Sequence, residues 1–290
     1  VPVATDPVTI DGNVTVVTYA TAPAVTFASL TLGKADGTVA PGLVLTAGAN
    51  GGTVLVQRNA LLSQAGLAIL NFSAVTLKSG SRLTHSANTA AKNSVINMIV
   101  TGDFELQAGA TISVSGLGFV HDQGPGKGVA GGGANGSPKA GGGGYGGPGG
   151  RSGGAYGSII EPVDLGSGGG GVNGGAGGGA VILNVTGRLR LDGLIEANGL
   201  GGTSATVGYG GGAGGTINLR AAALEGFGVL RADGGSAGFG FESPNSDGGG
   251  GGGGRITLRV GVSDTSNLTL SAGNTFLARS IIGGATTAGS

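Results

Sequence analysis

The sequence predicts an all-β protein, a parallel β-helix (solenoid) with packed polyglycine II-like glycine tracts. Three observations predict it: short runs in which every second residue is apolar, an internal repeat of those runs, and glycine tracts that recur in phase with the repeat. Glycine supplies 70 of the 290 residues, roughly three times the usual share. Hydrophobic residues make up 39% but aromatics only 4%, and tryptophan is absent. A core drawn from this set is thin and filled by Val, Leu, Ile and Ala, which suits a narrow solenoid. So much glycine also fits a disordered low-complexity chain, but the regular alternation of apolar residues argues for order.

Taken along the chain, helix signals are nearly missing. The one stretch of helix-compatible composition, Arg58 to Leu70, contains Gly66 and is flanked by strand-like runs. Thr9 to Tyr19 alternates, with Val14 and Val16 on one face. Similar short strands are read at Phe27 to Leu32, Leu43 to Leu45, Val54 to Val56, Ala74 to Leu77 and Ser81 to Leu83.

The repeat is clearest from residue 95 onward. Laying Val95 to Gly116 over Val181 to Gly199 matches Met98 with Leu183, Val100 with Val185, Phe104 with Leu189, Leu106 with Leu191 and Ile112 with Ile195. A third copy, Thr216 to Gly234, places Ile217-Asn218-Leu219 on Leu183-Asn184-Val185 and Leu230 on Ile195; a fourth begins at Arg255. Asn184 and Asn218 thereby share one strand position and predict a stacked asparagine ladder. Each unit reads as three short strands with one buried face, while Arg188, Arg190, Asp192, Glu196, Arg220 and Arg231 take the solvated face. Turns too short for hairpin reversal favour parallel coils over an antiparallel Greek-key sandwich.

Four glycine tracts lie between these strands, at Gly124 to Gly154, Gly166 to Gly179, Gly208 to Gly215 and Gly248 to Gly254. The last three run directly into strands (GGGAVIL, GGTINL, GGRITL). Recurrence in phase with the coils predicts extended three-residue-per-turn helices packed side by side, rather than flexible linkers. Three regions follow: residues 1–120 as N-terminal coils, 121–260 as the glycine-rich solenoid, and 261–290 as C-terminal strands and an assembly segment.

Charge and chemistry narrow the function classes. Fifteen basic residues balance fifteen acidic ones, so there is no electrostatic footprint for nucleic acid or an anionic membrane. Cysteine is absent and no apolar run reaches membrane-span length, so no membrane insertion is expected. The glycine loops lead into strands instead of helices, so they are not phosphate cradles. His85 is expected in a polar turn, and His121 and Asp122 as a surface pair on opposite faces of a strand. Scattered carboxylates, among them Asp192, Glu196, Glu225 and Asp233, fit charge-paired ladders better than a hydrolytic cluster. No enzyme activity, metal or cofactor is expected. Asn13, Asn71, Asn135, Asn184 and Asn267 head N-x-S/T sequons.

The run AYGS (Ala155 to Ser158), Glu161-Pro162, LGSGGGG (Leu165 to Gly171) and GGAGGGAVIL (Gly174 to Leu183), with the later GGAGGTINL and GGGGRITL, resembles a glycine-rich module of large bacterial surface and adhesin-like proteins. The tracts also resemble the glycine-rich sandwich of some phage tail-tip adhesins. These resemblances imply architecture and an extracellular or cell-surface location. The start at Val1 without methionine adds the expectation of a processed, secreted chain. The expected role is a structural subunit of a self-assembling filament or surface layer, partnered by itself. Open strand edges would join head to tail through Val14, Val16, Val17 and Tyr19 at one end and Phe276, Leu277, Ile281 and Ile282 at the other. The alternative is a carbohydrate- or receptor-binding adhesin, with Tyr145, Tyr156, Tyr209, Phe239 and Phe241 stacking on sugars.

Overall fold

The computed structural model describes residues 2–13, 16–20, 24–131, 139–241 and 247–271, and the backbone of 277–281. It is all-β, with no helix among the described residues. In chain order the strands are β1 (Pro7–Ile10), β2 (Val17–Tyr19), β3 (Val25–Leu32), β4 (Gly42–Leu45), β5 (Ala49–Val56) and β6 (Leu61–Gln64). Next come β7 (Leu70–Leu77), β8 (Arg82–His85), β9 (Ile96–Val100), β10 (Phe104–Leu106), β11 (Thr111–Ser113) and β12 (Ala180–Leu191). The last are β13 (Leu194–Glu196), β14 (Thr216–Glu225), β15 (Val229–Arg231), β16 (Arg255–Asp264), β17 (Thr269–Ser271) and β18 (Leu277–Ile281).

Two sheets contain all of them, and every strand pairing is parallel. The ten-stranded sheet runs β1-β3-β5-β7-β10-β12-β14-β16-β18, with β9 also pairing β7 and β12. The eight-stranded sheet runs β17-β15-β13-β11-β8-β6-β4-β2. The chain passes from one sheet to the other and back, and each new strand lies beside its predecessor, an arrangement consistent with a solenoid-like fold.

The core lies between the sheets, where alternation in each strand becomes a row across strands. Val17, Leu43, Leu62, Leu83, Ile112, Ile195, Leu230 and Leu270 form one row of the short sheet. Val8, Leu30, Val54, Val75, Phe104, Leu189 and Leu224 form one of the long sheet. Burying each such side chain stabilises the fold by about 1.5–3 kcal/mol. The strands need no long-range charge pairing to find this register, because a slip by one residue would turn every apolar side chain outward.

Three expectations need correction. Only the first repeat copy holds the three expected strands, β9 to β11; the later copies hold two each, β12–β13 and β14–β15. Strands β9 and β10 both pair β12, and the interruption at Thr101-Gly102-Asp103 is matched by a bulge between Val185 and Arg188 in β12. The Asp103 carboxylate accepts from the Arg188 N–H there (2.8 Å), so the chain bends without leaving the sheet.

The first strand of the third repeat copy is displaced by two residues from the expected alignment, whereas Leu230 lies beside Ile195 as expected. Leu183 lies beside Leu219 and Asn184 beside Arg220, so Asn184 and Asn218 form no ladder. A two-residue slip preserves which face a residue takes, so the inward and outward assignments survived it. The alignment of Val95 to Gly116 on Val181 to Gly199 matches the observed pairing, with Met98 beside Leu183, Phe104 beside Leu189 and Ile112 beside Ile195. An asparagine pair does occur elsewhere: Asn71 Nδ2 donates to Asn50 Oδ1 (2.9 Å) across β5 and β7.

His85, expected in a polar turn, is the buried last residue of β8. Its Nδ1 lies 2.8 Å from the Ser86 carbonyl, and its Nε2 accepts from the Ala180 N–H at 3.2 Å, where the second glycine tract enters β12. Both contacts suit a neutral ring. Burial pulls its pKa down from 6.5 to about 4, against a smaller opposite effect of the Ser86 hydrogen bond. Between these two values the unfolded chain binds a proton that the folded chain refuses. Stability is therefore expected to fall as pH drops from 6.5 towards 4, by at most about 3 kcal/mol, and to be unaffected by this group above 7. Urea midpoints measured from pH 7 to 4 check this: His85→Gln should remove that part of the slope, and an identical slope in both proteins would contradict it.

Candidate assembly surfaces and the glycine lattice

The first of the expected assembly surfaces lies at the β1–β2 end. Val17 and Tyr19 on β2 face inward with Val8 and Ile10 on β1. Val16 precedes the strand and is exposed. Together with Pro2, Val25, Phe27, Leu30, Leu43 and Leu45, these inward residues line an almost wholly apolar cavity of about 170 Å³. The core is thus left open at this end among the described residues, and β1 and β2 each offer an unpaired strand edge. At the opposite end, β17 and β18 are the last strands of the two sheets. On β18, Leu277 lies beside Ile256 and Ile281 beside Val260. Val14, Phe276 and Ile282 lie outside the described residues.

The glycine tracts form a second feature, a lattice beside the sheets. In the third tract the N–H groups of Tyr209, Gly212 and Gly215 donate to Thr203, Leu200 and Ala197 (3.2, 2.9 and 2.7 Å). Those of Gly210 and Ala213 donate to Gly170 and Ser167 in the second tract (3.1 and 2.8 Å), and those of Gly211 and Gly214 to Gly249 and Gly252 in the fourth (both 2.9 Å). The donor direction therefore turns to a new neighbour at each residue and returns after three. In the fourth tract, Gly248, Gly251 and Gly254 donate to Gly238, Gly235 and Ala232, while Gly249 and Gly252 donate to Ala140 and Gly143.

Such closeness excludes side chains. A Cβ on Gly214 would sit 2.0 Å from the Ala232 carbonyl oxygen, and one on Gly212 2.2 Å from that of Ala176. Ordering glycine costs roughly 1 kcal/mol more per residue than alanine, which is comparable to the net worth of about 0.5–1.5 kcal/mol of one hydrogen bond. A tract in which nearly every N–H finds a carbonyl offsets its own ordering; a half-bonded one would not.

A strap, residues 155–165, crosses the outer face of the long sheet and joins it to the lattice. The Thr216 hydroxyl donates to the Asp164 carbonyl (2.6 Å) and so accepts from the Tyr145 hydroxyl (2.6 Å). Asn218 Nδ2 donates to Pro162 (3.0 Å). The buried Arg255 guanidinium donates to the Gly157 and Tyr145 carbonyls (both 3.2 Å) and lies 5.1 Å above the Tyr145 ring centre. Arg259 pairs with Glu161, and Lys92 donates to the Val163 carbonyl (2.7 Å). Tyr156 packs on Tyr145 at 4.9 Å and hydrogen-bonds Leu165 and Ser167. Burial pushes the Tyr145 hydroxyl up to about 12 and raises that of Tyr156 as well. The sequence marks Tyr145 and Tyr156 as sugar-stacking candidates and Asn218 as a ladder residue, but none of them for this role; for Thr216 and Arg255 the signal is that each is the first residue after a glycine tract, and the two are adjacent in register.

Among the chemical candidates, the His121 ring and the Asp122 carboxylate meet at 3.3 Å in a turn, not on opposite faces of a strand. Asp122, at φ 58°, uses its carboxylate to accept from the Gly171 N–H (2.7 Å), which anchors the end of the second tract. Arg188 bridges Asp103 and Glu225 on neighbouring strands (3.1 and 4.0 Å), and Arg190 pairs with Asp192 (2.7 Å). Among the described residues no group of three or more His, Asp or Glu is placed to hold a metal. Comparison with protein-family models, curated proteins and solved structures finds no match to this chain.

Two neighbouring glycines test the lattice. A Cβ on Gly251 would lie 2.0 Å from the Gly212 oxygen, whereas one on Gly250 would meet nothing closer than 3.8 Å. Gly251→Ala should therefore lower stability in urea unfolding by roughly 1–3 kcal/mol. Gly250→Ala should be neutral or stabilising by up to about 1 kcal/mol. Equal effects of the two substitutions would contradict the packing described.

Proposed function

We propose that this chain is a structural subunit of an extracellular self-assembling filament or surface layer, joined head to tail through its terminal β-strands. In this reading it is a parallel β-solenoid braced by polyglycine II-like helices, of the kind met in bacterial surface proteins. The observation that carries it is the apolar cavity at the β1–β2 end, flanked by two unpaired strand edges. A second copy presenting β17 and β18 would continue both sheets with the same parallel hydrogen bonding and would cover Val17 and Tyr19. Such a contact is heterologous and does not close, so it propagates into a fibre. The three-residue rotation of glycine donors supports the polyglycine II geometry. A bundle bonded in three directions is a stiffening element, which suits a load-bearing role.

A second reading, a glycan- or receptor-binding adhesin, draws on Phe239 and Phe241, which are 66% and 75% exposed beside the lattice. Tyr145 and Tyr156 do not support it, because their rings and hydroxyls are engaged in the interior contacts under the strap.

Electron microscopy of the purified protein at neutral pH tests the filament reading. Coaxial stacking predicts uniform filaments with an axial repeat of about 43 Å, from nine rungs of the long sheet at about 4.8 Å each. Val17→Lys, which places a charge in the apolar cavity, should leave folded monomers. Monomeric wild-type protein, or unaltered filaments in the variant, would overturn the proposal.

A further inference from the structure

The outer face of the long sheet carries a groove across β12, β14 and β16. Asn184, Arg220 and Arg259 occupy one row on β12, β14 and β16, so their side chains leave the same face on successive strands. Two residues further along, Thr186, Ala222 and Gly261 leave a depression, and the whole encloses about 410 Å³. The strap borders it, since Arg259 is paired with Glu161 and also reaches Asn218 Oδ1 (3.4 Å).

The charges of this groove are unbalanced. No carboxylate lines it. Arg220 is exposed and, among the described residues, makes no ion pair, whereas Arg188, Arg190 and Arg259 on the same sheet are each paired. Two guanidiniums in one row on adjacent strands repel, and an anion placed over Arg220 relieves that repulsion. A chain that carries as many acidic as basic residues has left one cation of this row without a counter-ion.

We propose that this groove binds a carboxylate-bearing sugar residue of an acidic polysaccharide. The planar fork of Arg220 matches a carboxylate in two parallel hydrogen bonds. The Asn184 amide offers both donor and acceptor to neighbouring sugar hydroxyls. Ala222 and the bare backbone of Gly261 give a flat floor for the C–H face of the ring. The volume falls in the range of small-ligand sites and takes one or two sugar units. The groove opens on the outer face of the long sheet, with β16 one strand in from the terminal β18, whereas head-to-tail contacts use the strand edges.

Calorimetric titration of the intact protein with a panel of uronic-acid oligosaccharides, and with the same oligosaccharides after reduction of their carboxyl groups, tests this. Acidic sugars should bind at least tenfold more tightly than the reduced ones, and added salt should weaken them. Arg220→Gln should lower the affinity tenfold or more. Gly261→Phe should abolish binding while the melting temperature holds, since a Cβ there meets nothing closer than 3.8 Å. Absence of binding to every acidic sugar, equal affinity for the reduced sugars, equal affinity for acidic peptides, or binding that survives both substitutions would each overturn the proposal.

Discussion

The structure depends on one constraint, the approach of backbone carbonyls to positions where a Cβ would stand. Across the lattice, oxygens lie about 2 Å from where that atom would be built. Only glycine admits them, and only at that separation can each tract reach several neighbours through its own N–H groups. The composition follows from this geometry: the glycine content of the chain is the requirement of a bundle held by backbone hydrogen bonds, not a sign of slackness.

Sheets and lattice are joined at a few polar points, and these carry much of the specificity. Ala180 opens β12 by donating to His85, so the second tract enters the sheet at a fixed place. Thr216 and Arg255 open β14 and β16 and hold the strap down over them. Asn88 gathers its own loop, accepting from the Asn93 and Ser94 N–H groups (2.6 and 2.8 Å) and donating to Ser94 and Leu117. A buried polar side chain tolerates only the geometry that satisfies it, so each of these contacts selects one arrangement where apolar packing alone would allow several.

The all-β class, the parallel strands and the inward faces from β3 onward were legible in the sequence, because period-two alternation survives small errors of alignment. The same tolerance conceals the two-residue displacement of the third copy's first strand: Asn184 beside Asn218 and Asn184 beside Arg220 leave every apolar residue on the same side. Thr101-Gly102-Asp103 separates β9 from β10 although both pair β12 in one sheet, since a glycine flanked by polar residues looks the same in a bulge and in a corner. The roles of His85, Thr216 and Arg255 were not legible, because the backbone groups that define them lie 52 to 110 residues away, at the first residue of β12 for His85 and in irregular segments for Thr216 and Arg255. At the β1–β2 end, the inward packing of Val17 and Tyr19 beside an exposed Val16 was not legible, because alternation alone does not say which face is buried.

Hydrogen–deuterium exchange across the glycine tracts bears most directly on the central claim. If the tracts are a bonded lattice, the amides of Gly210 to Gly215 and Gly248 to Gly254 should exchange as slowly as those of β12 and β14, opening only with global unfolding. Exchange of these glycines at the rate of a free chain, with the strands still protected, would show the tracts to be linkers and would contradict the account.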